Sequence, residues 1–298
     1  MPNTFVHIGL QTLASRALLK EPDFKWIAVG CIIPDVPWII QRIFLGAGWG
    51  IDPYALLQYA IVQASLFSCL ILSGFFAMVV SNGGRVFLLL GLNSFLHLLL
   101  DAMQIKWANG VHLFAPFSWR LTAFNLIWPE HILIYSLTLV GVLALGYFGW
   151  RDWKIPVTLS SDKKKITPAL LLFTAYFLFP FIFGSGPAAA DNHYAATLAR
   201  VAERPGKYLE LDRSSYRSRD RTIRIFSGER LKARGLLPKQ DALVSIRGYF
   251  IDKNTIHISA LHVHSALRDY SSKLALLGIM AVWLLALVKK RITIASAV

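Results

Sequence analysis

The sequence predicts an all-α multi-pass membrane bundle of about five to six spans, interrupted by a small all-β domain that lies outside the membrane. Three observations predict it. Of 298 residues, 55% are hydrophobic and only 16% charged, with a mean hydropathy of +0.50, which is too apolar for an ordinary soluble domain. Apolar runs long enough to cross a bilayer, which takes about 20 residues, recur along the chain. One segment, 188–271, departs from all the others in its dense charge and its period-two alternation.

The elements follow in order. Residues 4–19 form a short helix that lies in the interface or enters the bundle. The start of the chain lacks the charged end, apolar core and small-residue cleavage site of a secretory signal, so it is expected to stay in the mature protein. Residues 26–45 are apolar but interrupted by "IIPDVP", where Pro34 and Pro37 break a helix and Asp35 needs protein or water around it; this reads as a broken or re-entrant span. Uninterrupted spans are expected at 56–80, 86–105, 126–150, 167–187 and 272–288.

Within 188–271, "GKYLELD", "RTIRIF" and "ALVSIRGYFIDKNTIHISALHVHS" read as strands and hairpins, the last resembling the closing strands of an OB-fold; any small barrel or sandwich gives the same alternation. The domains are therefore a bundle at 1–150, a basic loop and span at 151–187, the β-domain at 188–271, and a last span with a basic tail at 272–298.

The formal net charge is +14. Basic residues beside spans fix orientation and meet anionic lipid, so this charge points to membrane lipid rather than to nucleic acid. Arg16, Lys20, Lys25, Arg85, Arg151, Lys154, Lys163–Lys165 and Lys289–Arg291 fall on one side if every span is counted. The positive-inside rule then makes both termini cytoplasmic and the β-domain extracytoplasmic in a cell-membrane protein, the inner membrane if the source is bacterial. Cys31 and Cys69 sit in apolar segments, form no CxxC pair and say little of redox compartment.

The chemistry gathers in "LNSFLHLLLDAMQ". His97 and Asp101 are four residues apart on one helix face, with Gln104 expected a turn later on the same face. A buried carboxylate needs a proton, a partner or a metal. Imidazole with carboxylate is ligand chemistry for zinc, manganese or iron, while a plain His–Asp hydrogen bond between packed helices explains the pair equally well.

"HIGLQTLASRAL" with His7, "GCIIPDV" with Asp35, and "FLHLLLDAMQIKWANGVHLFAPFSWR" together resemble the membrane-bound metal-dependent hydrolase family. The third block matches in residue type and spacing over about 25 positions. The resemblance implies that His7, Asp35, His97 and Asp101 converge on one divalent metal, zinc or manganese, with Gly110, Pro116 and Phe117 shaping a covering loop. It implies metal-assisted hydrolysis of a lipid or other amphiphile near the outer face, with Asp35 or Asp101 as base. The chain departs from the family where "PDVP" puts Pro37 in place of a second carboxylate, and where Gln58 and Gln63 stand at two histidine positions. The competing account is a non-catalytic membrane scaffold whose β-domain binds a partner protein or polymer.

Other residues have plainer readings. His112 is an interfacial histidine or closes over the site. Glu130 in "WPEHIL" caps a span or does chemistry, and His262 and His264 alternate on one strand face and could bind a metal, but two ligands are too few and they read as exposed histidines of the β-domain. The run Arg213 to Arg221 reads as a solvated basic loop.

Overall fold

A computed structural model describes residues 3–108, 110–190 and 194–294. Among the described residues are five helical segments long and apolar enough to cross a membrane, a bent helix pair that reaches the same length, and a closed five-stranded barrel near the C-terminus.

Helix α1 (Thr4–Leu18) enters the bundle. Asn3 caps it by accepting from the Val6 amide, and its residues Phe5 to Gly9 are buried. It crosses helix α7 (Ile132–Asp152) so closely that the two backbones touch: a Cβ built on Gly141 would collide with the Phe5 carbonyl oxygen. Helices α2 (Phe24–Ile32) and α3 (Val36–Ala47) run through a 3-10 turn at Ile33–Asp35 as one apolar span of 24 residues. Pro34 and Pro37 both occupy first-turn positions, where no N–H is needed, so the chain tightens there without a sharp turn.

The sharp bend falls elsewhere. Residues 56–80, expected as one straight span, divide into α4 (Pro53–Gln63) and α5 (Leu66–Val79), bent by 67°. Ser65 restarts the helix by accepting from the Ser68 amide. Helix α6 (Gly83–Met103) is the central span, half of it buried, whereas α7 (Ile132–Asp152) and the last long helix bury only 22%. Helix α7 begins six residues later than expected, because 126–131 is loop. A short strand β1 (Val157–Leu159) leads to α8 (Ile166–Phe183), α9 (Ser185–Ala189) and α10 (Ala195–Ala199).

The barrel consists of β2 (Tyr208–Arg217), β3 (Thr222–Arg224), β4 (Arg230–Gly235), β5 (Ala242–Phe250) and β6 (Thr255–His264), in the closed order β2-β3-β4-β6-β5. The β4–β6 pair is parallel and the others are antiparallel. Inward residues such as Leu209, Leu211, Val244, Ile246 and Ile256 fill it, and Leu198 of α10 plugs into the same core. The basic run at 213–221 is not a free loop: its first half is strand β2, paired with β5 and β3. Helix α11 (Leu267–Val288) follows, and β7 (Ile292–Ile294) pairs with β1.

The basic residues gather at one end of the bundle. Arg16 pairs with the buried Asp152 at 2.5 Å, Lys25 Nζ donates to the Asp152 carbonyl at 2.7 Å, and Arg85 donates to the carbonyls of Lys20 and Glu21. Asn3 lies toward the other end, where its amide donates to Thr138 near the start of α7 and the Thr4 amide donates to Ser272 near the start of α11. Asn3 and Arg291 therefore occupy opposite ends, against the expectation that both termini share one side.

Candidate metal centre

Two helices deliver the ligand set. His7 comes from the first half of α1, and His97 and Asp101 come from one face of α6, all of them buried. The two imidazoles stack with centroids 3.7 Å apart and planes 7° from parallel. His7 Nε2 lies 3.4 Å from Asp101 Oδ1, and His97 Nε2 lies 3.9 Å from Asp101 Oδ2. One ligand atom from each of the three falls within 4.8 Å of the others.

Asp35 stands at the margin. Its Oδ1 is 3.7 Å from His97 Nε2, and its side chain keeps 20% exposure. The structure thus brings His7, His97 and Asp101 into one cluster and leaves Asp35 beside it.

The hydrogen bonds behind the ligands decide what the front atoms can be. His97 Nδ1 is 2.6 Å from the Cys31 carbonyl oxygen, an acceptor only, so Nδ1 carries the proton. In the neutral ring, Nε2 then presents a bare lone pair to the carboxylates of Asp35 and Asp101. The Gln11 amide nitrogen donates to His7 Nδ1 at 3.3 Å while its oxygen accepts from the Cys31 thiol at 2.9 Å, so the proton of the neutral His7 ring sits on Nε2, 3.4 Å from Asp101 Oδ1, and is the proton an ion would displace. His7 Nε2, His97 Nε2 and Asp101 Oδ1 are all buried without a hydrogen-bond partner. Such orphaned atoms are costly unless a cation or proton joins them, and two imidazoles with a carboxylate are a fitting donor set for a divalent ion.

Lys106, which the sequence pattern passed over, places Nζ 3.1 Å from Asp101 Oδ2 and neutralises the outer oxygen of that carboxylate. Its signal was a lysine five residues beyond an aspartate in an apolar block.

Comparison with family models, with curated proteins and with solved structures finds no match. The site rests on its own geometry.

Several expected members stand elsewhere. Gln104 lies past the end of α6 in extended backbone, off the His97–Asp101 face. Gln63 donates to Tyr59 and to the Tyr176 carbonyl, turned toward α8 and away from the ligands. Phe117 is 89% exposed and covers nothing. Gly110 and His112 do line the cavity that reaches Asp101. His112 donates through Nδ1 to the Trp119 carbonyl at 2.7 Å, and burial lowers its pKa, so the ring is neutral and its Nε2 is an acceptor.

That cavity, about 340 Å³, lies between bundle and barrel. Its apolar wall includes Trp38, Leu45, Leu57 and Ile61, and its polar wall carries Arg42, Lys106, Arg213 and Arg268 against Asp101 and Asp212.

A second cluster was missed because its parts are far apart in the chain. Glu130 does not cap α7, a task taken by His131, which accepts from the Leu133 amide. Instead its two oxygens lie 3.0 Å from His262 Nε2 and 3.0 Å from His264 Nδ1. Burial opposes ionisation of Glu130, but the hydrogen bonds with His264 and His262 outweigh it and hold its pKa at about 2.

Proposed function

We propose that this chain is a membrane-embedded, metal-dependent hydrolase acting on an anionic lipid or similar amphiphile at the barrel end of the bundle. The observation that carries the reading is the convergence of three buried, unpartnered ligand atoms, from His7, His97 and Asp101, beside a cavity.

A divalent ion held there, zinc or manganese, supplies a Lewis acid for a phosphoryl or acyl oxygen and a water that ionises near neutral pH. Gln11 and the Cys31 carbonyl orient the two imidazoles. Lys106 balances the charge of Asp101. Asp35, beside the cluster and partly exposed, is the group placed to take the proton of an attacking water. The apolar wall of the cavity suits an acyl chain, and its arginines and Lys106 suit an anionic head group.

Membrane insertion is supported by the outer faces of the long helices, where Leu170, Leu171 and Phe181 are 60%, 65% and 77% exposed. The loop at the barrel end adds exposed Phe114, Phe117 and Phe124, the kind of side chain that anchors in an interface. The basic cluster at the opposite end supports a cytoplasmic placement of that end, with the barrel outside. Five strands in closed Greek-key-like order support the OB-like reading of the barrel, which would offer a surface to a protein or polymer.

One observation favours the scaffold reading: the Lys106–Asp101 pair at 3.1 Å is a built-in cation that partly satisfies the carboxylate without metal. Metal analysis separates the two. Protein purified without chelator should hold divalent metal, and His97→Ala or Asp101→Asn should remove most of the metal at this centre. A folded wild type free of metal and unable to take up zinc contradicts the hydrolase reading.

A further inference from the structure

We infer that Glu130, His262 and His264 form a second divalent-metal site, of zinc type, which clamps the barrel onto the bundle. One ligand comes from the loop before α7 and two come from alternate residues of β6, so the ion would bridge the two parts of the chain.

The hydrogen bonds force the argument. Ser245 Oγ has one proton, and Asp212 Oδ1 at 2.8 Å, an acceptor only, takes it. The same oxygen accepts from the Arg213 amide at 3.1 Å. Its 2.7 Å contact with His264 Nε2 must then be a hydrogen bond donated by the ring. That leaves His264 Nδ1, in the neutral ring, as a bare lone pair 3.0 Å from Glu130 Oε1, which is another acceptor. Two acceptors at this distance repel unless a cation stands between them.

Without a metal a second ring proton fills that gap, donated from Nδ1 to Glu130, and Arg213 Nη1 lies 3.9 Å from the same oxygen. A metal ion takes the same lone pair and recruits two more donors. Both nitrogen-to-oxygen separations are 3.0 Å, so the donors need open by only about 0.4 Å to reach the spacing of roughly 3.4 Å around a tetrahedral ion with bonds of about 2.1 Å. All three ligand atoms lie within 4.8 Å of one another.

The ring behind the ligand is oriented as metal-binding histidines usually are, with its other N–H tied to a hydroxyl and through it to a carboxylate. Trp128 stacks on His262 at 3.7 Å and shields it from water. The bulge in β2, where Arg213 adopts φ 48°, turns that side chain to Asp269, so the two charges offset one another beside the site. A cavity of about 80 Å³ borders Glu130 and Ser265 and gives an open position for water.

This inference is independent of the bundle centre, and one experiment separates them. Full-length protein in detergent is stripped with a chelator, checked for a cooperative thermal melt, and titrated with zinc alone. Wild type should bind two ions, Glu130→Gln with His264→Asn one, and His97→Ala one. A wild type that binds one ion, lost in His97→Ala and kept in the Glu130 double variant, overturns the junction site and leaves the bundle centre standing. One ion with the reverse pattern keeps the junction site and overturns the other, and no ion overturns both. Should the variants fail to fold, wild-type labelling decides: zinc should protect His262 from diethyl pyrocarbonate, read by peptide mass spectrometry, and equal labelling with and without zinc overturns the site.

Discussion

At the residue scale, Lys106 is where the two readings of the bundle part. If the Asp101 carboxylate is satisfied by Lys106 alone, Lys106→Met leaves a buried charge without a counterion and costs about 3–5 kcal/mol, with or without zinc. If a metal shares that carboxylate, zinc should restore most of the loss and should raise the thermal midpoint of the variant more than that of wild type, because binding to the folded state alone stabilises it. Melts with and without zinc read the difference. Gln63→Ala should leave metal content unchanged, since its amide is committed to Tyr59 and Tyr176.

His112 gives a pH dependence whose sign follows from burial. Its folded pKa lies below the ordinary value of 6.5, so between the two the unfolded chain binds the extra proton. Its contribution is therefore intact above about pH 6.5 and declines as pH falls below that value. His112→Asn should flatten the dependence of the melting temperature on pH between about 7 and 5, and an unchanged slope would contradict the buried neutral ring.

The sequence shows His97 and Asp101 as a pair because helix periodicity alone aligns them. It shows His7 and Asp35 only through the resemblance. The bare nitrogen of His97 was not legible, because the proton on its other nitrogen is set by a carbonyl 66 positions away in the chain.

At the scale of elements, the close crossing of α1 and α7 carries the bundle centre, since it fixes His7 against α6. Gly141 permits it. Gly141→Ala should lower stability by about 1–3 kcal/mol through forced separation of the helices and should weaken zinc uptake with it. Gly146→Ala, on the same helix with nothing within 4 Å of the added carbon, should be neutral or gain up to about 1 kcal/mol in helix propensity. Equal effects of the two substitutions, read by thermal melts, would remove the crossing from the account.

Hydropathy makes the long helices legible, and alternation makes β2, β5 and β6 so. The bend at Ser65 was hidden because serine inside an apolar run carries no hydropathy signal, while Pro34 and Pro37 announced a break that first-turn positions absorb. Strand β4, "RLKARG", escaped because its two inward residues, Leu231 and Ala233, are too few to stand out.

For the whole molecule, the proposed orientation makes a labelling prediction. Cys31 and Cys69 are buried, so single cysteines introduced at exposed surface positions report cleanly. Ser118→Cys and Ser215→Cys should react with an impermeant maleimide from outside intact cells, and Lys163→Cys only after lysis. Reaction of Ser118 and Ser215 from opposite sides would sink the arrangement. The relation of barrel to bundle was beyond sequence reasoning, for Glu130 meets His262 and His264 across more than 130 positions and no local period records such a meeting.

The central claim is that His7, His97 and Asp101 hold a divalent ion. X-ray absorption at the zinc edge, on Glu130→Gln protein loaded with one equivalent, tests it most directly. The account predicts two imidazole nitrogens and a carboxylate oxygen at about 2.0–2.1 Å, and loss of that signal in the further variant His97→Ala. A folded protein that binds no zinc, or one whose spectrum is the same after His97→Ala, would contradict it.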